Sequence, residues 1–166
     1  MMSKRLILAL GLSLMGSAAF ADMTVQLGGG WDGRKVPAGQ HCPLSGGKGS
    51  TPPMTVSGIP AGTVWLIAYY NDKSYGPLSQ NGGHGTIGYP VKGATADLPA
   101  VPGMTAKLPG GVRVIKPARA TGDYASPGYL PPCSGGRGNR YTVDIRAVDA
   151  AGKVLSELKN VDIGKY

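Results

Sequence analysis

Residues able to do chemistry are few in this chain and widely spaced. It has two histidines, His41 and His84, two cysteines, Cys42 and Cys133, and nine acidic residues among 166. A nucleophilic triad could draw on His84, Asp72 and several serines, but no G-x-S-x-G elbow surrounds a serine. With only two histidines, three acceptable metal ligands are hard to collect, and neither H-E-x-x-H nor paired-cysteine spacing occurs. No pair of the nine carboxylates stands out as a glycosidase acid and base. Gly28–Gly30 and the run Gly46-Gly47-Lys48-Gly49-Ser50 look like phosphate loops only superficially, since the second lacks the G-x-x-x-x-G-K-[ST] spacing and opens no helix. The sequence therefore points away from an enzyme and implies no cofactor and no metal.

The start of the chain reads as an export signal. Lys4 and Arg5 precede an apolar stretch from Leu6 to Met15, and Gly16 to Ala21 is rich in small residues, with Ala19 and Ala21 at the positions a signal peptidase reads. The stretch is too short to span a bilayer, and no other apolar run is long enough. Residues 1–21 are expected to be a secretory signal and 22–166 a single domain, periplasmic or secreted. An even cysteine count in an exported chain suggests a Cys42–Cys133 disulfide, with two buried free thiols as the alternative. The bridge would close a loop of about 90 residues, worth about 4 kcal/mol in the chain-entropy model. Without Lys4 and Arg5, 15 basic residues against nine acidic leave a charge of +6. That balance suits acidic partners or plain solubility. The basic residues are scattered, so nucleic acid is not an expected partner.

The elements that would position these residues are short and β-like. Gly and Pro, 28 and 14 residues, punctuate them throughout. Strands are expected at Met23–Leu27, Thr63–Tyr70, Thr86–Val91, Val112–Lys116 and Arg140–Asp149. The Thr63–Tyr70 run is continuous enough to be covered on both faces. Arg140–Asp149 alternates, with Tyr141, Val143, Ile145 and Ala147 on one face. Pro52 and Pro53 argue against a central strand around them, and Lys92–Gly111 reads as a turn-rich connection. Val154–Leu158 is the one stretch with helical potential. The fold class is mainly β: an antiparallel sandwich with long Gly/Pro loops at one end and little helix.

The order of motifs resembles a known family. Ser50-Thr51-Pro52-Pro53-Met54 followed by Ser57-Gly58-Ile59-Pro60-Ala61-Gly62-Thr63 is similar to "SPPLxWSGVPxGT". An apolar strand and an Asp-containing loop follow, and His84 falls where the family has the His of "HW". Leu98–Pro102 resembles the next turn. Gly128-Tyr129-Leu130-Pro131-Pro132-Cys133 through Gly138-Asn139-Arg140-Tyr141 is similar to "YxGPCPPxGxHRY". This is the phosphatidylethanolamine-binding protein family, which includes Raf kinase inhibitor proteins and bacterial relatives, and the chain resembles a divergent member over roughly residues 40 to 150. The resemblance implies a Greek-key β-sandwich with an anion pocket at one end.

Carried over position by position, the implied pocket is altered. Tyr70 stands at the first Asp of "DPDxP" and Asp72 at the second. His84 is kept, with Gly85 after it instead of Trp. Tyr129 is kept, and Asn139 replaces the His of "HRY". The implied ligand residues are His84, Tyr129, Tyr70, Asp72 and Asn139. His84, Tyr70, Tyr129 and Asn139 would converge as donors on a small polar or anionic ligand of phosphate or head-group type, while Asp72 either contacts the ligand or shapes its loop by accepting from backbone N–H groups. Arg140 is expected to pair a carboxylate, and His41 has no assigned role. His84 reads as a loop residue whose loss would leave the fold nearly intact. The alternative function is a protein-interaction or inhibitor module with no small-molecule ligand.

Overall fold

A computed structural model describes residues 22–166. The expected signal segment, 1–21, lies outside the described residues. Eight strands form: β1 Thr24–Leu27, β2 Met54–Ser57, β3 Trp65–Asp72, β4 Thr86–Pro90, β5 Thr95–Leu98, β6 Arg113–Lys116, β7 Arg140–Val148 and β8 Val154–Lys165. Helical structure among the described residues is limited to single 3-10 turns at Pro43–Ser45, Gly76–Leu78 and Gly122–Tyr124. The strands make two antiparallel sheets, β1-β2-β5 and β6-β4-β3-β7-β8. In the larger sheet β7 returns past β4 and β6 to lie beside β3, which is the Greek-key order.

Both sheets turn an apolar face into one core. Met54, Val56 and Leu98 from the small sheet meet Leu66, Ala68, Ile87, Val143 and Ile145 from the large one. The alternation in β7 places Tyr141, Val143, Ile145 and Ala147 inward, as its period requires. A smaller cluster of Cys42, Leu78, Ala118 and Leu130 packs under the loops at one end. There the Cys42–Cys133 disulfide closes a 91-residue separation.

Four expectations are corrected. β2 is the central strand of the small sheet, because Pro52 and Pro53 stop just short of it. Pro53 only lends its carbonyl to Gly28 N–H, at 2.8 Å. β5 forms within the stretch read as turns, since Ala96 and Leu98 complete the small sheet's inner face before Pro99 ends it. Val154–Leu158 begins a twelve-residue strand, because pairing with β7 outweighs local helical potential. β3 is covered on one face only. Trp65, Ile67 and Tyr69 are half-buried on the outside, with Arg113 over the Trp65 ring at 5.2 Å and Arg146 over Tyr69 at 4.6 Å.

Register separates the ends of the sandwich. Asp72 pairs with Tyr141 at one end, while Trp65 pairs with Pro90 and Val148 at the other. The Asp149–Lys153 turn belongs to that second end. The Asp149 carboxylate accepts from the N–H groups of Ala151 and Lys153, both at 2.9 Å, and Gly152 takes the φ of 82° that the turn needs.

Candidate functional site

At the Asp72–Tyr141 end the loops enclose a cleft of about 430 Å³, within the range usual for small-molecule sites. Its floor comes from the sheet. β3 ends at Asp72 and β7 starts beside it, which brings Asp72, Asn139 and Tyr141 together. The Asp72 carboxylate accepts from Ser74 N–H at 2.9 Å and from the Asn139 amide at 2.7 Å. The Tyr141 hydroxyl accepts from Cys133 N–H at 3.2 Å. Burial and then the Asp72 carboxylate push the Tyr141 phenol well up, so it stays protonated.

His84 is held on this floor by two bonds to one residue. Leu130 N–H donates to the His84 carbonyl, and the His84 ring donates from Nδ1 to the Leu130 carbonyl, both at 2.8 Å. Its own N–H donates to the Tyr70 carbonyl, also at 2.8 Å. A carbonyl can only accept, so Nδ1 carries the proton. The neutral ring then presents Nε2, which has no hydrogen-bond partner among the described residues, as an acceptor. The side chain is only 3% exposed and sits edge-on to the Tyr141 ring at 5.3 Å. His84 is thus part of the packing, and its replacement by Ala would disturb the fold, contrary to the sequence reading.

Burial pushes the His84 imidazole below its ordinary value, against the opposing pull of the Leu130 carbonyl and the Asp72 carboxylate. The folded chain therefore refuses a proton that the unfolded chain accepts. Stability is full above about pH 6.5 and falls as the pH drops toward the lowered folded-state value. Urea unfolding at pH 7.5 and 5.5 should show the lower midpoint at 5.5, and His84→Gln should flatten that difference. An equal difference in the variant would show that another group titrates.

The rim is basic and aromatic. Arg119 fastens the loop after β3, donating to the carbonyls of Pro77 at 3.0 Å, Gln80 at 2.7 Å and Asn81 at 3.1 Å. This leaves two of its five N–H groups for a ligand. Arg137 faces the cleft from the loop after the disulfide. Neither belongs to an ion pair among the described residues, where the pairs are Arg140–Asp162, Arg146–Glu157 and Lys159–Glu157. Tyr75 and Tyr124 also line the cleft, 53% and 49% exposed.

Of the residues named from sequence, Asp72, His84 and Asn139 come together at the cleft. Tyr70 and Tyr129 do not line it. They pack on each other in the core at 4.8 Å between ring centroids, and Tyr70 meets the Tyr89 hydroxyl at 3.3 Å. The Tyr129 hydroxyl is buried without a hydrogen-bond partner among the described residues. The Asn139 amide uses one of its two N–H donors on the Asp72 carboxylate. Arg140 holds Asp162 with two bonds, at 2.6 and 3.0 Å. His41 stacks on Tyr166 at 4.6 Å. Sequence reasoning missed Arg119, Arg137, Tyr75 and Tyr124, whose only signal was their place in long loops.

No family model matches the chain, and no curated protein matches it. Among solved structures, the chain is similar to a protein of Chlamydia trachomatis D/UW-3/CX described as a phosphatidylethanolamine-binding protein homolog. The match has a TM-score of 0.52 and 20% identity, covering 87% of this chain and 97% of that one. With the two sheets, the Greek-key order and the end cleft in place, the chain has the fold of the phosphatidylethanolamine-binding proteins.

Proposed function

We propose that this chain is an exported, non-catalytic binding protein whose end cleft takes a small ligand bearing an anionic group of the phosphate or head-group type. The observation that carries this reading is the pair Arg119 and Arg137, two guanidinium groups lining one cleft with no carboxylate partner among the described residues. Guanidinium is the side chain best shaped for phosphate and carboxylate oxygens. The disulfide agrees with an oxidising compartment, and residues 22–166 would be the mature domain. A non-catalytic role is favoured because His84 spends its proton on a backbone carbonyl. The cleft's serine, Ser134, donates to the Tyr166 carbonyl and is not set against His84.

Titration of the purified protein with inorganic phosphate, followed by NMR, tests this. Saturable shifts should centre on the loops carrying Arg119 and Arg137. The double variant Arg119→Ala/Arg137→Ala should bind at least about 100-fold more weakly, since bonds to charged groups contribute about 1.5–3 kcal/mol each. Unchanged affinity would overturn the proposal. A second reading, a protein-interaction module, is favoured by the exposed rings of Tyr75 and Tyr124 at the cleft mouth.

A further inference from the structure

Asn71 lies in β3 beside Asp72, but parity turns it to the outer face of the sheet, away from Tyr70 and the core. It is nevertheless buried, because the loop returning toward β4 covers it. Its amide can make four hydrogen bonds, and all four are made. Nδ2 donates to the Tyr69 carbonyl at 3.1 Å and to an Asp144 carboxylate oxygen at 3.2 Å. Oδ1 accepts from Gly82 N–H at 2.9 Å and from Gly83 N–H at 3.4 Å. These partners fix the orientation of the amide, since a backbone N–H only donates and carbonyl and carboxylate oxygens only accept.

The loop that Asn71 grips is the one Arg119 is built on. The Arg119 guanidinium takes its place from the carbonyls of Pro77, Gln80 and Asn81, and its backbone N–H donates to the Gly83 carbonyl at 2.9 Å. All these carbonyls belong to one loop, so they fix Arg119 in the sandwich only as firmly as the loop itself is fixed. Asn71 ties the end of that loop to β3. Asp144, facing outward on β7, divides its carboxylate between two donors. One oxygen takes the Asn71 amide, and the other takes Asn160 N–H at 2.7 Å, where β8 bulges and Asn160 has a φ of 53°. Neither Asn71 nor Asp144 lines the cleft.

We infer that Asn71 is the positioning residue of the cleft, setting Arg119 through the Gly82–Gly83 segment, and that Asp144 on the outer face anchors it. The inference rests on the anion-binding role of Arg119 and adds what holds that guanidinium in place.

Phosphate titrations followed by NMR test it on Asn71→Ala, Asp144→Asn, Arg119→Ala and the two double variants with Arg119→Ala, each with its urea midpoint. Asp144→Asn leaves one oxygen for two donors, so it loosens the anchor without opening a hole. Asn71→Ala and Asp144→Asn should each weaken phosphate binding about tenfold. For Asp144→Asn the sign is informative, because removing a negative charge would by itself favour an anion. In the Arg119→Ala background both losses should vanish. Losses of equal size in the two backgrounds, or unchanged affinity in the folded variants, would overturn the inference. Should Asn71→Ala fail to fold, Asp144→Asn decides. If the unsubstituted protein binds no phosphate, the anion reading fails, and hydrogen exchange of the Arg119 backbone N–H tests the positioning alone. Asp144→Asn should speed that exchange about tenfold relative to the amides of β3 and β7, and an unchanged ratio would show that Asn71 does not set Arg119.

Discussion

A double variant, Cys42→Ser/Cys133→Ser, should be less stable than the disulfide-bonded protein by about 4 kcal/mol, because the bridge removes the freedom of a long loop from the unfolded chain. The separation it closes is 91 residues, and domains of this size have only about 5–15 kcal/mol in total. Urea unfolding of the two forms at one pH reads the difference directly, and a loss below about 1 kcal/mol would show that the unfolded chain gains little freedom. The effect should extend to the cleft. Cys42 is fully buried among Leu78, Ala118 and Leu130, and its N–H donates to the Pro132 carbonyl at 3.0 Å. Cys133 N–H bonds the Tyr141 hydroxyl. The segment leaving the bridge then supplies Ser134, Arg137 and Asn139 to the cleft, so the variant should also lose anion affinity at temperatures where it remains folded.

Gly83→Ala, next to the cleft residue His84 and against the backbone of Leu78, is expected to be strongly damaging. A Cβ there would lie 2.2 Å from the Leu78 carbonyl oxygen and 2.4 Å from two further Leu78 backbone atoms. Backbone cannot swing aside as a flexible side chain can, so the Gly76–Leu78 turn must move. Overpacking of this kind costs about 3 kcal/mol. Arg119 would feel it twice, since its N–H donates to the Gly83 carbonyl at 2.9 Å and its guanidinium holds the Pro77 carbonyl. Both the urea midpoint and the phosphate affinity should therefore fall. Gly76→Ala is the control, because a Cβ there meets nothing within 4 Å. Equal behaviour of the two variants would show that the turn yields without cost.

What the sequence discloses and what it hides follow from the range of the forces involved. β7 was legible because alternation over Arg140–Val148 is a local pattern that the pleat enforces. β2 and β5 were not, because four residues beside prolines carry little pattern and become strands only by pairing with each other and with β1. The last three residues of β3 teach the same lesson at the site. Tyr70 and Asp72 share a face by parity, but two residues correspond to about 7 Å along a strand. That step separates the sealed core, where Tyr70 lies, from the open end, where Asp72 meets Tyr141. The order of motifs located Asp72, His84 and Asn139. It could not locate Arg119, whose position is fixed by carbonyls about 40 residues earlier in the chain.

The turn Asp149–Lys153 gives the molecule a handle. It sits at the end of the sandwich remote from the cleft, its outer residues Ala150–Lys153 are exposed, and its geometry is held by one aspartate and one glycine. Cargo inserted between Ala150 and Ala151, whether a dye-binding tag or an affinity peptide, would leave the ladder between β7 and β8 to be closed by residues on either side. The cleft loops, tied to the frame by the disulfide and by Arg119, could then be varied for new ligands while the far end stays anchored to a surface. The two ends can accordingly be engineered as separate parts, one for attachment and one for recognition.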